Sequence, residues 1–121
     1  MYNKKESIED YLEKVLMLEE KQDLVRAIDL ANFMNFSKAS VSVALKKLKS
    51  YGYVLVDEKT GGITLTKEGR KIAEDTYERH RVIAKALIEL GVSEKTASED
   101  ACRIEHVISD ETFKVIKKHF K

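Results

Sequence analysis

Three side-chain types that hold transition metals, a thiol, a carboxylate and an imidazole, crowd into Glu99-Asp100-Ala101-Cys102-Arg103-Ile104-Glu105-His106. At about 100° of rotation per residue, a helix through this segment puts Cys102, Glu105 and His106 within about a 100° arc. Residues at i, i+3 and i+4 can then reach one cation from a single helix edge. Ala97, Ala101, Ile104 and Ile108 form the apolar stripe beside them. A core cysteine next to a surface Glu–His pair would leave the same pattern. Cys102 as a nucleophile with His106 as its base is disfavoured, because no orienting third group or glycine turn for an oxyanion site lies nearby.

Two other places offer ligands. His80 sits at the centre of the apolar face of a long helix, one turn from Tyr77 and flanked by Ile83, Ala84 and Leu87. That position suits a hydrogen-bonded core histidine as readily as a ligand. Asp10, Glu13 and Met17 form a stripe roughly opposite the face made by Ile8, Tyr11, Leu12, Val15 and Leu18. It reads either as a solvated acidic edge or as a side that meets something specific.

The elements that must position these residues follow from periodicity and punctuation. Ser7-Ile8-Glu9-Asp10 has a capping pattern before a helix near 8–20. A second helix is expected near 26–33, a break at Met34-Asn35-Phe36, and a third helix at about 38–51 capped by Ser37 and ended by Gly52. Val41, Ala44, Leu45 and Leu48 point inward from it. The period then changes. Tyr53-Val54-Leu55-Val56 and Ile63-Thr64-Leu65-Thr66 flank Asp57-Glu58-Lys59-Thr60-Gly61-Gly62, which predicts a hairpin with a glycine-bearing loop. Thr66 caps a long helix to about Leu90, stopped by Gly91, and two short helices follow near 94–107 and 110–119. The chain is therefore mainly α with a small β-hairpin. Its first part, 1–70, has the element order of a winged helix-turn-helix DNA-binding domain. Residues 71–121 are helical, too few for an independent core, and expected to dimerise with a second copy of the chain.

Charge refines this reading. The 121 residues carry 22 Lys and Arg against 21 Asp and Glu. A globally basic nucleic-acid coat is thereby excluded, and DNA binding must rest on a local patch. Residues 37–56 supply one: they hold Lys38, Lys46, Lys47 and Lys49 and no acid. Ser37, Lys38, Ser40 and Ser42 lie at the end a recognition helix points at base edges, and Lys59 sits on the hairpin loop. Serine and lysine discriminate bases poorly, so the sequence preference is not readable. Removal of lysines from a module that only dimerised or acted as a scaffold would change nothing. The lone cysteine suits a reducing cytoplasm, and with no apolar run near the roughly 20 residues a bilayer requires and an acidic opening, neither a leader nor a membrane span is expected.

Against these residues the chain resembles the metal-dependent repressors typified by the diphtheria toxin repressor and the manganese transport regulator. Asp100-Ala101-Cys102-Arg103-Ile104-Glu105-His106-Val107-Ile108-Ser109-Asp110-Glu111 resembles the iron-responsive branch through its Cys-Arg-x-Glu-His core. Glu9-Asp10-Tyr11-Leu12-Glu13 looks like the family's first-helix ligand motif, and Tyr77-Glu78-Arg79-His80 like its dimer-helix histidine motif. Ser40-Val41-Ser42 falls where the recognition helix of that family begins. The resemblance implies Asp10, Glu13, His80, Cys102, Glu105 and His106 as metal ligands. Asp10 and Glu13 match the manganese-responsive pattern and Cys102 the iron-responsive one. Ala84 and Ser98 stand where the iron branch places ancillary-site ligands, so that site is not expected in the same form. A short form without the carboxy-terminal SH3-like domain is also expected.

The expected function is a metal-dependent, DNA-binding transcriptional repressor, not an enzyme. Without a cation, Asp10, Glu13 and Glu105 would repel one another. A divalent cation would join them and set the spacing of two recognition helices in a homodimer, about 34 Å for adjacent half-sites of a palindromic double-stranded operator. Thiolate, imidazole and carboxylate together suit Fe(II), Co(II), Ni(II) or Zn(II) better than Mn(II), and the abundance of iron in a reducing cell favours Fe(II), with Mn(II) second. The alternatives are a Mn(II)-responsive regulator of the same family, or a metal-independent winged-helix regulator sensing redox change or a small ligand.

Overall fold

A computed structural model of the chain describes residues 4–120. Its elements run α1 (Lys4–Glu19), α2 (Ala27–Met34), α3 (Lys38–Ser50), β1 (Val54–Val56), β2 (Ile63–Leu65), α4 (Lys67–Glu89), α5 (Glu94–Ile104) and α6 (Asp110–His119). The order matches expectation, a mainly helical chain with one hairpin. The described residues divide into two compact units, Ser7–Glu74 and, chiefly, Asp75 onward.

In the first unit α2 packs on α3 and α3 on β1. Helix α1 contributes the buried Tyr11, Leu12, Val15 and Leu18, and α3 the buried Val41, Leu45 and Leu48 at helical spacing. Ala44 is only half-buried. Tyr11 meets Phe36 edge-on at 6.0 Å. Asn35 takes the left-handed conformation at the end of α2, and Phe36 N–H closes that end on Ala31 O at 3.0 Å. Ser37 then caps α3 by accepting from Ser40 N–H at 3.1 Å. The hairpin pairs Val54 with Leu65 and Val56 with Ile63. Alternation turns Val54, Ile63 and Leu65 inward and leaves Leu55 and Thr64 exposed.

Thr66 links hairpin to helix. Its hydroxyl donates to Gly52 O at 2.6 Å and accepts from Gly69 N–H at 3.1 Å, so it caps α4 as its position predicts. Gly69 is required by packing: a Cβ built there would lie 2.0 Å from Tyr53 O.

In the second unit Gly91 ends α4 with φ +108°, and Val92 N–H reaches back to Leu87 O at 2.9 Å. Ser93 and Ser109 cap α5 and α6 through Thr96 and Thr112 N–H. Ala97, Ala101, Ile83 and Phe113 are among its buried apolar residues.

Two boundaries differ from the sequence reading. Helix α1 begins at Lys4, which puts Ser7 inside it and not at its cap. Lys5 and Glu6 are good helix formers, so the helix continues past the capping pattern. Helix α5 ends at Ile104, three residues before the expected 107. Glu105 still makes a helical bond to Ala101 O at 2.9 Å, but His106 N–H turns to Arg103 O at 3.4 Å. His106 has left the helix, which corrects the single-edge arrangement expected for Cys102, Glu105 and His106.

Candidate metal centre and nucleic-acid face

Helices α4 and α5 bring three of the expected ligands together. His80 Nδ1 lies 3.0 Å from Glu105 Oε2 and 3.7 Å from Cys102 Sγ. One donor atom from each of these residues falls within 4.8 Å of the other two, the only such group found among the described residues. His106 Nε2 stands 3.4 Å from the other Glu105 oxygen, which places the second imidazole against the same carboxylate. Glu105 is 1% exposed and His106 is buried. A solvated surface Glu–His pair is thus ruled out. Burying a carboxylate is costly unless opposite charge or hydrogen bonds meet it. Here two imidazoles and a thiol converge on one, a donor set that suits a divalent transition ion.

The turn after α5 is held by Arg79, a residue the sequence reading quoted but gave no part. Its Nη1 donates to Ile108 O at 3.0 Å, its Nη2 to the Asp110 carboxylate, and its guanidinium covers the Phe113 ring at 5.5 Å. Arg79 precedes His80 in α4, so it fixes the turn carrying Glu105 and His106 to the helix that carries His80. Lys117 adds an ion pair to Glu78 at 2.7 Å.

In the first unit, Asp10 and Glu13 are buried on α1, and Glu13 is 0% exposed. The solvated acidic edge is therefore excluded for this pair. Nor do the two carboxylates simply repel. Lys14 Nζ lies 3.0 Å from Asp10 Oδ1 and 2.8 Å from Glu13 Oε1. Burial pulls the Lys14 ammonium toward its neutral form, but the charges and hydrogen bonds of Glu13 and Asp10 outweigh it and hold its pKa above the usual lysine value. Tyr11 is also raised, by burial and then by the Asp10 charge. Glu13 Oε2 is buried with no hydrogen-bond partner among the described residues. An unmatched carboxylate oxygen beside a second buried acid fits a cation ligand. Ala84 is half-buried and Ser98 exposed, and neither supplies a metal donor of the expected ancillary kind.

The residues expected to meet nucleic acid are exposed. Ser37, Lys38, Ser40, Ser42, Lys46 and Lys47 are exposed on and before α3, and Lys59 is exposed on the hairpin loop. Ser37 spends its hydroxyl on the cap and on Ser40 Oγ at 2.9 Å. Asp57 shapes the loop by accepting from Lys59 and Thr60 N–H at 2.8 and 3.1 Å, and these bonds hold its carboxyl below the usual value. An open cleft brings Arg26 to Ser42, Lys46 and Lys49, with Leu45 and Val56 in its lining. Arg26 escaped the sequence reading because it precedes α2 and meets the α3 lysines only in space.

Two family models match the chain in order. Residues 5–62 match the amino-terminal DNA-binding domain of the iron-dependent repressors, and residues 66–121 match their metal-binding and dimerisation domain. A curated relative, an uncharacterised HTH-type transcriptional regulator of Methanocaldococcus jannaschii, is 40% identical over 93% of this chain and 90% of its own length. The chain belongs to the iron-dependent repressor family. The transcriptional regulator MntR of Salmonella typhimurium is 36% identical over 91% of this chain and 69% of its own length. Among solved structures, the manganese regulator SloR superposes with a TM-score of 0.81 at 33% identity over 93% of this chain. A manganese-dependent transcriptional repressor in complex with manganese gives 0.84 at 30% identity over the same share. The chain spans about half the length, 52%, of each of these two solved proteins. As a member of this repressor family it is a DNA-binding regulator and not an enzyme, and no described helix is long and apolar enough to cross a membrane.

Proposed function

We propose that this repressor uses a divalent transition ion as co-repressor, held by His80, Cys102, Glu105 and His106 and, on the family resemblance, by Asp10 and Glu13. The observation that carries the reading is the meeting of His80, Cys102 and Glu105 within 4.8 Å. The ion would supply positive charge beside the buried Glu105 and to the Asp10–Glu13 pair, whose two carboxylates share the single Lys14 ammonium. A metal ion binds thiolate and neutral imidazole rather than their protonated forms, so loading weakens as pH falls.

The function of the ion is to favour one arrangement of a homodimer in which two α3 helices meet adjacent half-sites of a palindromic DNA operator. Metal then raises DNA affinity by the factor by which DNA raises metal affinity. Lys38, Lys46, Lys47, Lys59 and Arg26 would meet phosphates, and Ser40 and Ser42 allow close approach to base edges. Such a regulator acts in the cytoplasm.

Fe(II) is the proposed physiological ion, because the Cys102 thiolate suits Fe(II) better than Mn(II). Mn(II) is the second reading, favoured by the manganese named for SloR and the manganese-dependent repressor. Elemental analysis of protein purified anaerobically tests the reading. Iron at a stoichiometric level supports it, manganese alone moves it to the second reading, and no metal at all overturns it.

A further inference from the structure

The acid pair on α1 already holds a cation. Lys14 Nζ sits at 3.0 Å from Asp10 and 2.8 Å from Glu13, and its side chain is only 16% exposed. The contact with Asp10 joins neighbours one helical turn apart, but Glu13 precedes Lys14 directly, and such side chains do not ordinarily face each other on a helix. The lysine stem must therefore curl back to place its charge between the two acids. One ammonium against two carboxylates leaves an excess negative charge, and Glu13 Oε2 remains without a hydrogen-bond partner among the described residues.

We infer that Lys14 is a built-in competitor for the metal, which neutralises Asp10 and Glu13 in the metal-free protein and must leave them for a divalent ion to bind. The inference rests on the proposed ligand role of Asp10 and Glu13. Two effects act in the same direction. The ammonium lowers the energy of the metal-free acid pair, and if it stays nearby it repels the incoming ion. Both weaken metal binding. A flexible four-carbon stem ending in a strongly hydrated charge can swing into water as the ion arrives, so competition does not block loading. Lys14 thus sets the metal concentration at which the repressor responds.

Calorimetric titration of the metal-free full chain with Mn(II), which needs no protection from air on this timescale, tests the inference alongside thermal melting. Lys14→Gln and Lys14→Met are each expected to bind Mn(II) about tenfold tighter than the unaltered chain, within the usual range of coupling between ligands. Their metal-free forms should melt earlier, with the deficit shrinking once Mn(II) is added. Lys14→Arg keeps the charge and should bind no tighter than the unaltered chain. Unchanged or weaker Mn(II) binding by both neutral variants, with Glu13→Gln weakening it, would overturn the competition while leaving the ligand role intact. Unchanged binding in Glu13→Gln would overturn both.

Discussion

His80 Nδ1 and Glu105 Oε2 lie 3.0 Å apart, one on α4 and the other just beyond the end of α5. The proton between them satisfies a buried carboxylate that would otherwise be left in a medium of low polarity. Cys102 Sγ lies 3.7 Å from the same nitrogen and would give the proposed ligand set its one soft donor.

That soft donor has a spectroscopic consequence. Co(II) added to the metal-free protein should give thiolate-to-metal charge-transfer absorption, and Cys102→Ala should abolish it. The variant should also lose at least about tenfold in Co(II) affinity, the lower end of what losing even a residue that only orients a ligand costs. An unchanged spectrum in Cys102→Ala would remove the thiol from the site.

Arg79 should matter without touching metal. Arg79→Lys cannot reproduce the paired donation to Ile108 O and Asp110, so the turn holding Glu105 and His106 should loosen. Co(II) affinity is expected to fall by about tenfold, the lower end for residues that orient metal ligands. The charge-transfer band should persist because Cys102 is intact. Wild-type affinity in this variant would contradict the bracing role.

On the nucleic-acid face, Lys46→Ala, Lys47→Ala and Arg26→Ala should each weaken binding to all DNA sequences alike and reduce the salt slope by about 1. Titrations at several salt concentrations measure this. An unchanged slope for Arg26→Ala would place the α2 end of the cleft away from the phosphates.

The hairpin loop has its own pH signature. Lys59 and Thr60 N–H bonds lower the Asp57 pKa below its unfolded value, so their contribution is present above the usual carboxylate range and lost as pH falls through the lowered value. Protection of the Lys59 and Thr60 amides against exchange, taken relative to the intrinsic rate at each pH, should persist at pH 5 and be lost in acid, while in Asp57→Ala it should be absent throughout. Exchange in Asp57→Ala that matched the parent would show that the carboxylate does not order the loop.

Much of this was legible in advance because the signals are local. Ser37 followed by helical-period Val41, Leu45 and Leu48 marks α3, and the change to period two around Asp57–Gly62 marks the hairpin. Thr66 and Gly91 bracket α4 by ordinary capping chemistry. The end of α5 was not legible, since Glu105 keeps a right-handed helical backbone (φ −58°, ψ −25°) and neither glycine nor proline marks the stop. Lys14 was missed for a similar reason: an i+1 neighbour lies off the helix face of Glu13 by spacing alone, and only the curled side chain reveals the pairing. Gly69 carries no local signal of its role, because its constraint is the Tyr53 carbonyl, remote in sequence. Gly69→Ala should accordingly cost about 1–3 kcal/mol, the range for overpacking, measured by denaturant unfolding.

The central claim is that metal governs DNA binding, and the most direct test is an anaerobic mobility shift on the DNA upstream of the protein's own gene. Chelator should abolish the shifted complex and Fe(II) restore it, with His80→Ala silent at every Fe(II) concentration that saturates the parent. A complex that forms equally well with chelator present would contradict the account.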